Sequence, residues 1–89
     1  MYSISFTNKF KKDFALCKSR KYQIAKIEKI FEELKTTGTV PKKHKPHTLD
    51  GNYNGCWECH IEYDWLLIWE TFPDNEIHII RTGTHSDLF

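Results

Sequence analysis

The hydrophobic positions at the start of the chain change from the spacing of a strand to the spacing of a helix. Residues 2–6 alternate apolar and polar side chains, which is the two-residue period of a half-buried strand. Thr7 then offers a hydroxyl oxygen that suits a helix N-cap. The apolar side chains that follow recur at helical spacing and predict a short helix to about Ser19: Phe10, Phe14 and Cys17.

A second helical stripe is clearer than the first. Its apolar side chains share one face, and most of the charged residues lie off that face: the stripe is Ile24, Ile27, Ile30, Phe31 and Leu34. Gly38 follows and suits the left-handed position that ends many helices. Because the link between the two stripes at Arg20 and Lys21 is short, we expect an antiparallel helical hairpin.

The second half of the chain has the patterns of a loop followed by strands. Residues 39–55 show no regular period and are punctuated by proline and glycine, which predicts a long loop. Residues 56–62 alternate as a half-buried strand does, and residues 65–70 are apolar on both faces, as is typical of a central strand. After a turn signal, residues 76–82 predict the last strand.

These elements predict one α+β domain, residues 1–89, with the order β-α-α-β-β-β. We expect a small antiparallel sheet with the two-helix hairpin packed on one face and the other face open. In the second strand, alternation turns three side chains toward the helices: Trp57, Cys59 and Ile61. The open face then carries Glu58 and His60.

The charges are divided unevenly along the chain. Residues 1–48 hold twelve Lys or Arg and four Asp or Glu, a formal charge of +8. Residues 49–89 hold one Arg and eight Asp or Glu, a formal charge of −7. Such asymmetry is typical of a basic face that binds nucleic acid, although amphipathic helices also carry lysines on their solvent face. In the long loop we assign Lys42 and Lys43 to substrate binding.

The sequence also indicates in which cellular compartment the protein resides. No apolar run approaches the ~20 residues needed to span a bilayer. The N-terminal residues lead straight into a basic polar stretch and lack the pattern of a secretory signal. We therefore expect a cytoplasmic protein with no membrane partner, in which the three cysteines are free thiols.

Residues 56–60 match the C-x-x-C-H pattern of c-type haem attachment. Haem is disfavoured because an export signal is missing and because Met1, the single methionine, is a poor candidate for a distal ligand. In a strand, moreover, Cys56 and Cys59 point to opposite faces, which also disfavours zinc on this pair. A metal held by one cysteine and several histidines stays an alternative, and our expectation is no cofactor.

Five polar residues of the second half supply the groups that metal-free RNA cleavage needs: His47, His60, Asp64, Arg81 and His85. Singly, each is as readily explained as a solvated, satisfied or ion-paired group. Together they offer a base for the 2′-hydroxyl proton, an acid for the leaving 5′-oxygen, and a cation for the phosphorane. Trp65 and Phe89 offer aromatic faces on which a base can stack.

The same residues form motifs that resemble the YafQ branch of the RelE-like toxins, the toxin halves of bacterial toxin–antitoxin pairs. The resemblance is specific over residues 47–89 and extends over the whole chain in length and element order. The matching motifs are His47-x-Leu49-x-Gly51, His60-Ile61-Glu62-x-Asp64-Trp65 and the ending Arg81-Thr82-Gly83-Thr84-His85-x-x-Leu88-Phe89.

The resemblance implies a ribosome-dependent mRNA endonuclease that inhibits translation. Members of the family cut mRNA in the ribosomal A site through the 2′-hydroxyl, leave a 2′,3′-cyclic phosphate and a 5′-hydroxyl, and need no metal. The resemblance also implies a cognate antitoxin protein, bound in a toxin–antitoxin hetero-oligomer. The lysine-rich helices would then meet ribosomal RNA.

Matching positions carry the family's functional residues onto this chain. The catalytic histidines fall on His47, His60 and His85, the aspartate and its neighbouring tryptophan on Asp64 and Trp65, the phosphate-binding arginine on Arg81, and the terminal aromatic on Phe89. We assign His60 or His85 as general base, and the other of the two, or His47, as general acid. Asp64 would orient or tune a histidine, and Arg81 would stabilise the phosphorane.

The chain departs from the family at two positions of the second strand. Relatives commonly carry Arg where this chain has Trp57, and an aromatic residue where it has Cys56. Alternation places Trp57 opposite His60, so that a cation lost there is peripheral. The departure also leaves a second function open, a non-catalytic module of the same fold that binds RNA or an antitoxin.

Overall fold

A computed structural model describes the whole chain, residues 1–89, as five strands and three helices around one mixed sheet. The strands are β1 (Ser3–Phe6), β2 (His47–Thr48), β3 (Trp57–Glu62), β4 (Trp65–Phe72) and β5 (Glu76–Gly83). The helices are α1 (Asn8–Ser19), α2 (Ile24–Thr37) and α3 (His85–Leu88). Single 3-10 turns occupy Lys42–His44 and Gly51–Tyr53. No helix has the length and apolar character that crossing a membrane requires.

The two long helices begin and end where the sequence predicts. The Thr7 side chain accepts a hydrogen bond from the backbone N–H of Phe10 and so caps α1. Helix α2 ends at Gly38, whose φ of 75° is left-handed and whose backbone N–H donates to the Leu34 carbonyl. A Cβ at Gly38 would also meet the Tyr2 ring, which would have to shift to make room.

The sheet has the order β1-β5-β4-β3-β2, which confirms β4 as the central strand. The antiparallel pairing of β3, β4 and β5 is also as predicted. The predicted antiparallel sheet is mixed at one edge, where β1 pairs with β5 in parallel. Parallel strands need a long crossover, and the two helices and three other strands between β1 and β5 provide it.

The long loop contains a strand that the sequence does not reveal. Strand β2 pairs antiparallel with β3, with His47 opposite Glu58 and Thr48 opposite Trp57. Two residues are too few to show an alternating period, so pattern alone could not detect β2. Strand β2 fixes His47 beside β3.

The face of the sheet that carries the helices holds the main core. Thirteen buried side chains form it: Phe10, Cys17, Ile27, Ile30, Leu34, Val40, Cys59, Ile61, Trp65, Leu67, Trp69, Ile77 and Ile79. Helices α1 and α2 both contribute, which confirms that they pack on one face. Trp57 packs against this core and stacks on Trp69, so position 57 points away from His60 as alternation predicts.

We expected the second face of the sheet to be open, but part of it is covered. A smaller cluster covers part of it: Cys56, Leu66, Ile68 and Leu88. Leu49 and Tyr53 from the long loop pack against that cluster, and Leu88 belongs to α3, so both segments fold over the sheet. Glu58, expected on an open surface, is therefore only 4% exposed. Cys56 and Cys59 lie in different clusters, as the opposite-face argument predicts.

Candidate active site

Three histidines that are distant in sequence come together in the fold. The ring centre of His60, in β3, lies 6.3 Å from that of His47 and 5.9 Å from that of His85. The pairing of β2 with β3 places His47, and the start of α3 places His85. The structure thus forms a row of the three predicted histidines, with His60 in the middle. We call it the histidine row.

Asp64, in the turn between β3 and β4, orients His85. Its Oδ1 accepts one hydrogen bond from the backbone N–H of His85 at 2.9 Å and a second from the ring Nδ1 at 2.7 Å. The backbone N–H of His85, followed by its ring, holds the pKa of Asp64 below the usual range of a carboxyl. Since Asp64 is ionised, Nδ1 of His85 carries a proton, and Nε2 has no hydrogen-bond partner.

Helix α3, which carries His85, is held by a capping box and an ion pair. The Thr84 hydroxyl accepts from the backbone N–H of Asp87, and the Asp87 carboxylate accepts from the backbone N–H of Thr84. Arg20 donates to both oxygens of the same carboxylate, at 2.7 and 3.2 Å, and lowers the pKa of Asp87. Gly83 leaves room for this carboxylate, because a Cβ there would lie 2.8 Å from Asp87 Oδ2.

His60 has one ring nitrogen engaged and the other free of partners. Its Nδ1 lies 3.3 Å from the carbonyl oxygen of Tyr63, and a carbonyl can only accept, so Nδ1 carries the proton. The lone pair of a neutral His60 ring is therefore on Nε2. The backbone carbonyl of His60 accepts from Nδ1 of His44 at 2.9 Å, which anchors the loop beside the row. His44 had no assigned role in the sequence analysis.

His47 contacts a carboxylate that sequence reasoning missed. Its Nδ1 lies 2.8 Å from the carbonyl oxygen of Lys45, and its Nε2 lies 3.1 Å from Oε1 of Glu58. The other carboxylate oxygen, Oε2, is buried and has no hydrogen-bond partner. Strand alternation placed Glu58 on the same face as His60, but its burial under the long loop is a tertiary effect without a sequence signal.

Arg81 is committed to an ion pair rather than exposed to a ligand. Its Nε and Nη2 donate to the two carboxylate oxygens of Asp13, at 2.6 and 3.0 Å, and its Nη1 donates to the Tyr53 hydroxyl at 3.2 Å. The Asp13 carboxylate raises the pKa of Arg81. Asp13 was missed by sequence reasoning, although it is the single acidic residue in a lysine-rich helix. The phosphate-binding role of Arg81 stays a prediction.

The two aromatic residues proposed for base stacking differ in exposure. Trp65 is 3% exposed, its Nε1 donates to Thr82 Oγ1 at 2.9 Å, and the Tyr22 ring packs edge-on against it. The Trp65 ring is therefore buried in the free protein, and its stacking on a base stays a prediction. Phe89 is 64% exposed and its ring centre lies 6.5 Å from that of His85, so it can present a face to substrate.

A groove of about 810 Å³ lies between α2 and the segment around residues 42–45, and it reaches His60. Four lysines line it, together with three glutamates: Lys26, Lys29, Lys43 and Lys45, and Glu32, Glu33 and Glu62. Lys43 therefore lies where it can meet a polyanion near the row, whereas Lys42 is exposed but does not line the groove. No group of three or more His, Cys, Asp or Glu side chains is arranged to hold a metal ion.

Comparison with known proteins places this geometry in a family. The family profile described as "Bacterial toxin of type II toxin-antitoxin system, YafQ" matches residues 2–89. A curated relative, the mRNA interferase toxin YafQ of Escherichia coli, is 32% identical over 87 residues, which are 97% of this chain and 94% of the relative.

Solved structures agree with the profile in fold and extent. The toxin in the Escherichia coli DinJ-YafQ toxin–antitoxin complex is 30% identical, with a TM-score of 0.88 and coverage of 99% of this chain and 97% of the other. A metal-bound toxin from Helicobacter pylori is also 30% identical, with a TM-score of 0.89 and full coverage of both chains. The profile match and the curated relative together show that this chain belongs to the YafQ family of toxins of bacterial type II toxin–antitoxin systems.

Proposed function

We propose that this chain is an mRNA interferase that cuts mRNA in the ribosomal A site and thereby stops translation. The observation that carries the proposal is the histidine row, with ring centres 6.3 and 5.9 Å apart and Asp64 2.7 Å from the last ring. The family and the name of the Escherichia coli relative support the same activity. A cytoplasmic site of action follows from the substrate, because mRNA meets ribosomes there.

The hydrogen bonds of the row favour His60 as the general base. The Tyr63 carbonyl holds the Nδ1–H of His60, which directs the Nε2 lone pair outward. In the first half of the reaction, Nε2 of His60 takes the 2′-hydroxyl proton and the 2′-oxygen forms a bond to the adjacent phosphorus.

The same reasoning favours His85 as the general acid. Asp64 accepts from Nδ1 of His85 and stabilises positive charge on the ring, so the protonated ring can offer Nε2–H to a leaving group. As the bond from phosphorus to the 5′-oxygen breaks, His85 gives its proton to that oxygen. The products are a 2′,3′-cyclic phosphate and a 5′-hydroxyl, and no metal is needed for either transfer.

Substrate contacts are proposed on both sides of the row. On one side, Lys43 and the other groove lysines meet phosphates of RNA, and this contact weakens as salt rises. On the other side, the exposed ring of Phe89 offers a stacking face next to His85. For Arg81 to stabilise the phosphorane, it must exchange part of its bond with Asp13 for the phosphate.

We also propose a cognate antitoxin as partner, because the related Escherichia coli toxin has been solved in a toxin–antitoxin complex. Strand β2 is a two-residue edge of the sheet and adjoins the histidine row through His47. An extended antitoxin segment that pairs with this edge would cover the site.

The test is translation of a reporter mRNA with purified protein and ribosomes, followed by mapping of the RNA ends. We expect cleavage in the A site by the wild type, and losses of about 10²–10⁴-fold in His60→Ala and in His85→Ala. His78→Ala is the matched control, since His78 lies on β5 beside Phe72 and outside the row. Unchanged cleavage in both row variants would overturn the assignment.

Metal dependence is tested in the same assay, since one structural relative is named as metal-bound. We expect the cleavage rate to be the same with and without EDTA once the magnesium that ribosomes need is replaced after treatment of the toxin. A toxin that is inactivated by chelation and restored by a transition metal would contradict the metal-free mechanism.

A further inference from the structure

A second cleft, of about 410 Å³, lies between the connection from α1 to α2 and the turn from β3 to β4. The chemistry proposed above gives this cleft no role. We propose that it is a nucleobase subsite, in which the Tyr63 ring stacks on a base of the mRNA next to the cut phosphate and the Gln23 amide contacts the edge of that base. The inference rests on the proposed function, because its ligand is the RNA that this function cleaves.

The cleft adjoins the histidine row. Asp64, which accepts from the His85 ring at 2.7 Å, is one of its lining residues. Glu62 and Tyr63 line both this cleft and the groove beside α2, and His60 lines the groove. A single strand of RNA whose phosphate lies between His60 and His85 therefore meets open space for its neighbouring nucleotides in the groove and in the cleft.

The Tyr63 side chain offers an aromatic face that the fold itself does not use. Its side chain is 93% exposed and packs in neither of the two buried clusters. The Tyr22 ring lines the same cleft and is anchored edge-on against the buried Trp65, with 4.9 Å between ring centres. Unpaired bases of RNA bind proteins mainly by stacking on such rings, and stacking needs no particular base.

The charges of the cleft suit an RNA ligand. Its two carboxylates are already engaged within the protein, Glu62 by Lys26 and Asp64 by His85. Lys21 takes part in none of the ion pairs of the structure. Lys21 is therefore the free charge of the cleft, and it can contact the phosphate that accompanies a bound base.

Gln23 supplies groups that can distinguish one base from another. It occupies the N-cap position of α2, yet its side chain makes no capping hydrogen bond to the helix. Serine, threonine, asparagine and aspartate are the residues that usually cap there. The side-chain amide of Gln23 thus keeps a donor and an acceptor for a ligand, and this combination matches the hydrogen-bonding edge of a base.

The backbone at Lys21 also favours a ligand-binding role. Its φ of 63° is left-handed and follows the end of α1 at Arg20, a position that glycine adopts with less strain. Lys45, which lines the groove, has the same kind of backbone with a φ of 52°. Non-glycine residues in this conformation are concentrated at ligand-binding sites. Each of the two spaces beside the row therefore has one lysine on a strained backbone.

The first experiment is an NMR titration of the intact protein with nucleoside 5′-monophosphates, with ribose 5-phosphate as the probe that lacks a base. We expect the nucleotides to shift the signals of the Gln23 side-chain amide and of residues 62–64, which ribose 5-phosphate should leave in place. Tyr63→Ala should weaken nucleotide binding about tenfold, because the base loses its stacking ring.

Phe72→Ala is the matched control for this titration, since its ring is 38% exposed and lies at the end of β4. It should bind the nucleotides as the wild type does. Equal shifts with ribose 5-phosphate, or no shift of these signals with any nucleotide, would overturn the subsite.

The second experiment measures cleavage on ribosomes with reporter mRNAs that differ in the A-site codon. Tyr63→Ala keeps the backbone carbonyl that holds His60, so we expect KM to rise about tenfold and kcat to stay near the wild-type value. Tyr63→Phe, which keeps the ring, should restore the wild-type KM. Gln23→Ala should reduce the difference in cleavage rate between codons. An unchanged codon preference in Gln23→Ala would contradict a contact with an mRNA base.

The two experiments distinguish failure of the subsite from failure of the proposed function. If the wild-type protein cleaves no RNA on ribosomes, the mRNA interferase proposal fails, while the NMR titration still decides whether the cleft binds a base. If the wild type cleaves RNA and Tyr63→Ala has the wild-type KM, the function stands and the nucleobase subsite is overturned.

Discussion

The two faces of the sheet bury their side chains for different reasons. On the helix face, thirteen apolar side chains interlock, and the one buried polar group beside them, Thr82, is fully hydrogen-bonded to Trp65 and Leu66. On the second face, four apolar side chains share the space with a buried glutamate that has one unpartnered oxygen. The two faces therefore have different roles. The helix face stabilises the fold, whereas the second face is less stabilising because it holds charged groups beside the histidine row.

The largest expected effect is a loss of stability when a core side chain of the helix face is removed. Trp69→Ala should lower the free energy of unfolding by about 3–5 kcal/mol, because it opens a cavity where the ring is 2% exposed and stacked on Trp57. Phe72→Ala, on the same strand but 38% exposed, is the control and should cost less than about 1 kcal/mol. Urea denaturation followed by circular dichroism measures both. Similar losses in the two variants would show that the helix face is not the source of stability.

The next largest effect is a loss of cleavage rate when a charged group beside the histidine row is changed. Asp64→Asn should lower the rate of RNA cleavage by about 10²-fold, since His85 loses the carboxylate that fixes its ring, while stability changes by less than about 0.5 kcal/mol. The exposed Asp74→Asn, in the turn after β4, removes the same charge and should leave the rate unchanged. A rate loss matched by an equal loss of stability would mean that Asp64 supports the fold rather than the chemistry.

Alkaline pH distinguishes the two faces through their buried thiols. Burial raises the pKa of Cys59, on the helix face, to about 12. Because an unfolded thiol titrates near pH 8.5, the stabilisation is complete below that pH and is lost as pH rises toward 12. Between pH 9 and 10, wild-type protein should lose about 1.2 kcal/mol more stability than Cys59→Ala, because the unfolded thiol is mostly but not fully ionised at pH 9. Cys56→Ala, on the second face, should have a smaller effect on the loss of stability between pH 9 and 10. Denaturant midpoints at the two pH values measure it.

The smallest effect concerns the cap that holds α3. Thr84→Ala should cost about 1 kcal/mol of local stability, because the backbone N–H of Asp87 loses its acceptor. The amides of α3 should then exchange with solvent about fivefold faster. Ser86→Ala, an exposed position on the same helix, should leave the exchange rates unchanged. Equal protection in Thr84→Ala and wild type would show that Arg20 alone anchors the helix.

The helix face was predictable from sequence to a degree that the second face was not. Hydrophobic patterns located α1, α2 and four of the five strands, and alternation placed Cys59 and Trp57 on their observed face, because these signals are local. The burial of Glu58, the Asp13 partner of Arg81 and the covered faces of Trp65 are set by segments far away in sequence. The motif correctly predicted that the three histidines lie close together. Which nitrogen of His47 and His60 carries a proton, however, depends on backbone carbonyls that no side-chain pattern encodes.

The parallel pairing of β1 with β5 determines how late in synthesis the domain can fold. Strand β1 is synthesised early, yet its neighbour in the sheet begins at Glu76, and His85 follows it. A chain emerging from a ribosome therefore has no histidine row until nearly all of these residues are free to fold. Pairings between such distant residues are also slow to form. We expect an interval between synthesis of the chain and formation of the histidine row.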